Sequence, residues 1–196
     1  MRRAARYFAL AASLVLPHEA SAHLVTTGLG PIYDGVWHFA QAPTQGVSVI
    51  ALALFAGLRG PAHARQCFFL LPPVWLVGCF LPVASGPVLA TLLPALVLLT
   101  LGALLASEFR LAPAGLAALA IPSGLLLGIS YGASMEGPAV PYALGAAAVI
   151  VALLALFSSV ALPLHWMPGR VAVRVLGSWT AALGLLLIGW QIHGGV

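Results

Sequence analysis

Asp34 and His38 lie four residues apart, so on a helix one side chain stands above the other and the two can share a cation or a hydrogen bond. A carboxylate with an imidazole suits a divalent transition metal ion; the alternative is that Asp34 only caps or orients His38 near lipid headgroups. His23 follows Ala20-Ser21-Ala22, and cleavage after Ala22 would set a free α-amine beside its imidazole. Those two nitrogens together favour copper or nickel by the usual order of affinities; otherwise the terminus frays unbound. Glu136, within Ser134-Met135-Glu136-Gly137-Pro138, is either a further oxygen donor or a solvated loop acid. The candidate metal ligands are therefore His23, Asp34, His38 and Glu136, with no catalytic residue and no tightly bound cofactor expected. His63, His165 and His193 read as interfacial side chains, and Cys67 and Cys79 as small apolar residues.

The chain that must position these groups has 196 residues, 62% of them hydrophobic and only 6% charged. A soluble domain averages about 25% charged residues, so most of this protein has lipid as its solvent. Eight arginines, no lysine and four carboxylates give a formal net charge of +4, too few groups for a nucleic-acid-binding surface. Cys67 and Cys79 share one apolar stretch and would stand about 18 Å apart along a helix, beyond the reach of a disulfide.

Arg2, Arg3 and Arg6 precede an apolar run from Tyr7 to Leu16, and Pro17 leads into the small-residue sequence Ala20-Ser21-Ala22. This is the layout of a cleaved signal peptide, residues 1–22, and the apolar run is too short to span a bilayer. Residues 23–196 then form one transmembrane domain, an all-α polytopic helix bundle.

Apolar windows predict six spans, at 44–58, 66–83, 87–106, 113–131, 140–162 and 173–192. Arg59, Arg65, Arg110, Arg170 and Arg174 all fall at the connections after the first, third and fifth spans, and the other connections have no arginine. The positive-inside rule puts those connections in the cytoplasm and both mature termini outside, as a cleaved leader also requires. The mature protein is then expected to sit in a bacterial inner membrane. The first span covers only about 22 Å against a hydrocarbon core of about 30 Å. Upstream of it, Pro31 to Pro43 begins with a proline suited to a helix start and ends on another, which predicts a short helix and a break near Pro43. Interrupted helices of this kind line cavities or are buried in protein; a surface-lying amphipathic turn is the alternative. In the fourth span Gly124, Gly128 and Gly132 recur every four residues on one face, where a neighbouring backbone can approach closely. The tryptophans read mostly as belt residues at span ends.

A signal ending in Ala22-His23, a Gly-rich approach to a broken first span, six helices and a late Tyr142-Ala143-Leu144-Gly145 after an acidic loop together resemble the HupE/UreJ family of hydrogenase and urease accessory proteins. That resemblance implies a small bacterial inner-membrane permease for nickel or cobalt. His38 matches the first histidine of the family's metal motif and Glu136 the acid of its second. Phe39 stands where the family has proline, Thr44-Gln45 where it has Asp-His, and Ser130 to Ser134 carry none of its histidines.

Three functions follow as expectations. The first is uptake of a divalent metal (nickel, cobalt or copper), caught outside by His23, Asp34, His38 and Glu136 and passed inward between span 1 and the glycine face of span 4. No P-loop is present, so its partners would be the bilayer, the ion and either a second copy or an accessory membrane protein. The second is a non-catalytic membrane subunit or assembly factor. The third, a rhomboid-like intramembrane serine protease, rests on Ser134 and His193 and lacks a glycine after the serine, where Met135 stands.

Overall fold

The computed structural model describes residues 27–81, 87–107, 109, 111–135, 137–164 and 166–194. The expected leader (residues 1–22), His23, Glu108, Arg110, Glu136 and His165 lie outside the described residues. Among the described residues there are seven helices and no strand: α1 (Pro31–Ala40), α2 (Pro43–Gly57), α3 (Pro61–Cys79), α4 (Pro87–Ser107), α5 (Pro113–Ala133), α6 (Ala139–Ala161) and α7 (Met167–Ile192).

Proline sets the starts. Helices α1 to α5 each begin on one, where the missing N–H is no loss and φ is already helical. Pro72, Pro73, Pro94 and Pro122 also lie inside helices, as membrane-type packing tolerates. On length and composition α5, α6 and the Pro168–Ile192 part of α7 are able to cross a membrane, and the bent pair α1–α2 makes a fourth candidate. Of the six expected spans, α3 is interrupted by polar groups, with His63, Arg65 and Gln66 in its first two turns.

Small residues decide which helices meet. A Cβ at Gly128 would overlap the carbonyl of Trp75, and one at Gly132 the carbonyl of Cys79, while Gly124 lies over Leu71 and Val74. As α5 advances from Gly124 to Gly132, its partner advances from Leu71 to Cys79, so the two helices run parallel. The glycine face expected to border a path beside span 1 is therefore filled by α3. Gly102, Gly177 and Gly184 bring α4 and α7 together in the same way, and Gly57 meets Ser158 and Ala161 of α6. At the centre lies α2, buried from Val49 to Gly57 apart from half-buried Ile50, which touches every other helix.

One end of the bundle gathers the basic groups. Arg59 donates to the carbonyl of Phe55 at 2.7 Å and to that of Phe109. Arg174 Nε donates to the Ala106 carbonyl at 3.3 Å, and His63 Nε2 lies 3.2 Å from the carbonyl of Leu111. Phe55 and Ala106 stand in the last turns of α2 and α4, where carbonyls lack intrahelical partners and the dipole is negative, so arginine donors are favoured there.

Candidate functional site

The opposite end is shaped by the break. Helix α1 ends at Ala40, Gln41 and Ala42 intervene, and α2 starts at Pro43 bent by 79° from α1. The short helix is held against α6 by two glycines. A Cβ on Gly35 would collide with the Tyr142 carbonyl, and one on Gly145 with the Ile32 carbonyl. This contact lays the C-terminal half of α1 over the end of α5, about 31 Å along that helix from Pro113.

There His38 Nε2 lies 3.2 Å from Ser134 Oγ, joining residues 96 positions apart. The imidazole ring sits between two phenols, 5.1 Å from the Tyr131 ring centroid in an edge contact and 5.4 Å from that of Tyr142. Tyr131 is buried, and its hydroxyl donates to the carbonyl of Gly35 at 3.0 Å, fastening α1 to α5. Below lies a second polar connection. Gln45 is 3% exposed; its Nε2 donates to the Leu127 carbonyl at 2.9 Å and its Oε1 accepts from Trp75 Nε1 at 3.4 Å. Trp75, fully buried and 4.9 Å from the Tyr131 ring, packs in the core rather than in an interfacial belt; Trp37, Trp166, Trp179 and Trp190 are exposed. The buried Tyr131 hydroxyl and Gln45 carboxamide are thus held by paired partners, as buried polar groups require, while His38 is half-buried and Ser134 exposed.

Protons can be counted at this site. Ser134 has one O–H, and its oxygen lies 2.9 Å from the Tyr131 carbonyl, which can only accept. When that bond and the contact to His38 form together, His38 Nε2 is the donor to Ser134 Oγ, and the serine fixes the orientation of the ring.

Asp34 lies one turn before His38. Its Oδ1 accepts from the Thr27 amide at 2.6 Å and from Thr27 Oγ1 at 2.7 Å, which ties the approach segment to the first turn of α1. A carboxylate there is also favoured by the positive end of the helix dipole. Of the four expected ligands, the structure places Asp34 and His38 at this end of the bundle, and brings His38 to Ser134, two positions before Glu136. Among the described residues no three of His, Cys, Asp and Glu come together as a metal cluster, and His23 and Glu136 are outside them.

The dyad expected of a rhomboid-like site is not formed by its named histidine. Ser134 pairs with His38, whereas His193 Nδ1 lies 3.0 Å from the Gly189 carbonyl of its own helix. Both cysteines are free and buried. Tyr131 escaped the sequence reading, and Gln45 and Tyr142 entered it only through the family resemblance and without a role; the one signal for Gln45 was a carboxamide at the start of a long apolar run. No known family's sequence model matches this chain, and neither a curated protein nor a solved structure matches it.

Proposed function

We propose that this chain is an integral membrane protein for uptake or handling of a divalent transition metal, nickel, cobalt or copper, received at the His38 end of the bundle. The observation that carries this reading is the His38–Ser134 pairing at the elbow between α1 and α2. It orients an imidazole beside the residues that lead into Glu136, with Asp34 one turn away. His23, Asp34, His38 and Glu136 are the proposed donors. All are oxygen or nitrogen ligands, which exchange an ion more readily than a thiolate cage, and that suits transport. The HupE/UreJ resemblance points to the same cargo. In this reading the arginine end faces the cytoplasm of a bacterial inner membrane and the His38 end faces outward.

Uptake of radioactive nickel, cobalt and copper into cells expressing the protein, at metal concentrations where affinity limits the rate, tests the proposal. Wild type is expected to accumulate at least one of the three above vector-only cells. Asp34→Ala and His38→Ala should each lower that uptake at least 10- to 100-fold, the loss typical even of residues that only orient a ligand. Equal uptake by wild type and both variants would reject the site and favour a non-catalytic membrane subunit.

A further inference from the structure

Parallel helices α3 and α5 are locked together by glycine only along part of their length. From Gly124 to Gly132 the backbones touch, but nearer the arginine end the facing residues of α5 are Ala117 and Ile121, and an open groove lies between the helices. Arg65, Gln66, Phe69 and Leu70 of α3 form its other wall. Arg65 to Phe69 and Ala117 to Ile121 are each one helical turn, so the groove runs along the helix axes, from a cation near the start of α3 toward apolar surface deeper in the bundle.

Three features bear on what fills it. Arg65 is exposed and has no hydrogen bond or ion pair among the described residues. Beyond it the lining is apolar, and Phe69 is 73% exposed. Gln66 Oε1 is shut off from water and so is also out of reach of an incoming headgroup, which leaves Arg65 as the polar recognition element of the groove. A cation at the mouth with an apolar channel behind it matches a phosphate followed by an acyl chain.

We propose that this groove binds an anionic glycerophospholipid such as phosphatidylglycerol. Arg65 holds the phosphate, and the first methylenes of one chain lie along Phe69, Leu70 and Ile121. Basic positions between membrane helices are where such headgroups are recognised. The assignment is independent of any metal chemistry at the far end of α5.

The test is native mass spectrometry of the purified, detergent-solubilised protein in equal amounts of phosphatidylglycerol and phosphatidylcholine. Wild type should retain phosphatidylglycerol about fivefold more than phosphatidylcholine, the factor expected for one arginine near a membrane surface. Arg65→Ala should bring the ratio close to one, and Arg65→Lys should keep most of it. Ile121→Trp, which fills the apolar channel, should reduce adducts of both lipids. A ratio unchanged by Arg65→Ala overturns the proposal, as does full displacement of phosphatidylglycerol by millimolar inorganic phosphate, which would mark a simple anion site.

Discussion

The Gln45 carboxamide donates to the carbonyl of Leu127 across the middle of the bundle, 2.9 Å away and out of reach of water. It stands in the first turn of α2, just past the bend, and also accepts from Trp75. One side chain therefore ties α2 to α5 and to α3 at the level where α1 turns away.

Gln45→Leu keeps the volume and removes both hydrogen bonds, leaving the indole N–H of Trp75 buried without an acceptor. The expected cost is about 1–3 kcal/mol. Thermal unfolding in detergent, followed by tryptophan fluorescence, should show a lower midpoint than wild type; an unchanged midpoint would mean that Trp75 finds another acceptor.

Gly128→Ala sets a methyl group against the Trp75 carbonyl, a contact that only separation of α3 and α5 relieves. Overpacking of this kind costs about 1–3 kcal/mol. Gly46→Ala is the paired control. A Cβ there meets nothing, so replacing a helical glycine should be neutral or stabilise by about 0.5–1 kcal/mol. The two variants should shift the unfolding midpoint in opposite directions or, at the least, only the first should lower it.

Ser134→Ala removes the oxygen beside His38 Nε2 while leaving every proposed ligand in place. Metal affinity should fall about 10- to 100-fold, the range for a group that orients a ligand. Equilibrium binding of nickel to purified wild type and variant reads this directly, and equal affinities would detach the serine from the site.

Sidedness is testable with two single cysteines. Cys67 and Cys79 are buried, so the parent protein should be silent to an impermeant thiol reagent applied to whole cells. Ala139→Cys, at the exposed start of α6, should label, and Ala62→Cys, at the exposed arginine end, should not. The reverse pattern inverts the proposed orientation. N-terminal sequencing of the membrane-inserted protein should begin at His23; retention of Met1 would remove the amine from the proposed ligand set.

What could be read from the sequence was whatever depends on local chain chemistry. Pro31 and Pro43 announce the short helix and the bend because proline restricts its own backbone wherever it stands. The starts at 87 and 113 were legible from the apolar windows, and in the structure both helices begin there on a proline. Hydropathy served less well where charge interrupts it: α3 begins at Pro61, five residues before the expected 66, because His63 and Arg65 depress the window while the helix continues through them. For a related reason α7 begins at Met167 rather than 173, with Arg170 and Arg174 inside the helix. The four-residue glycine repeat in α5 foretold a close helix contact but not with which neighbour, since every apolar helix offers similar surface. The His38–Ser134 pair joins two chain segments 96 positions apart, and no spacing rule connects them. Asp34, by contrast, was visible beside His38 because one helical turn relates them.

Both arms of the bent pair rest on a single rail. Helix α1 is seated on α6 through Gly35 and Gly145, and α2 is seated on the same helix through Gly57, Ser158 and Ala161. A bracket fastened at both ends to one beam cannot open or close at its corner without slipping on that beam, however pliant the two residues at the corner are. The angle that presents His38 is thus set by the two glycine contacts along α6 rather than by the Gln41–Ala42 joint. Changing it would require a shift of one helix along another, a sliding motion of about one small-residue step, and not the flexing of a hinge.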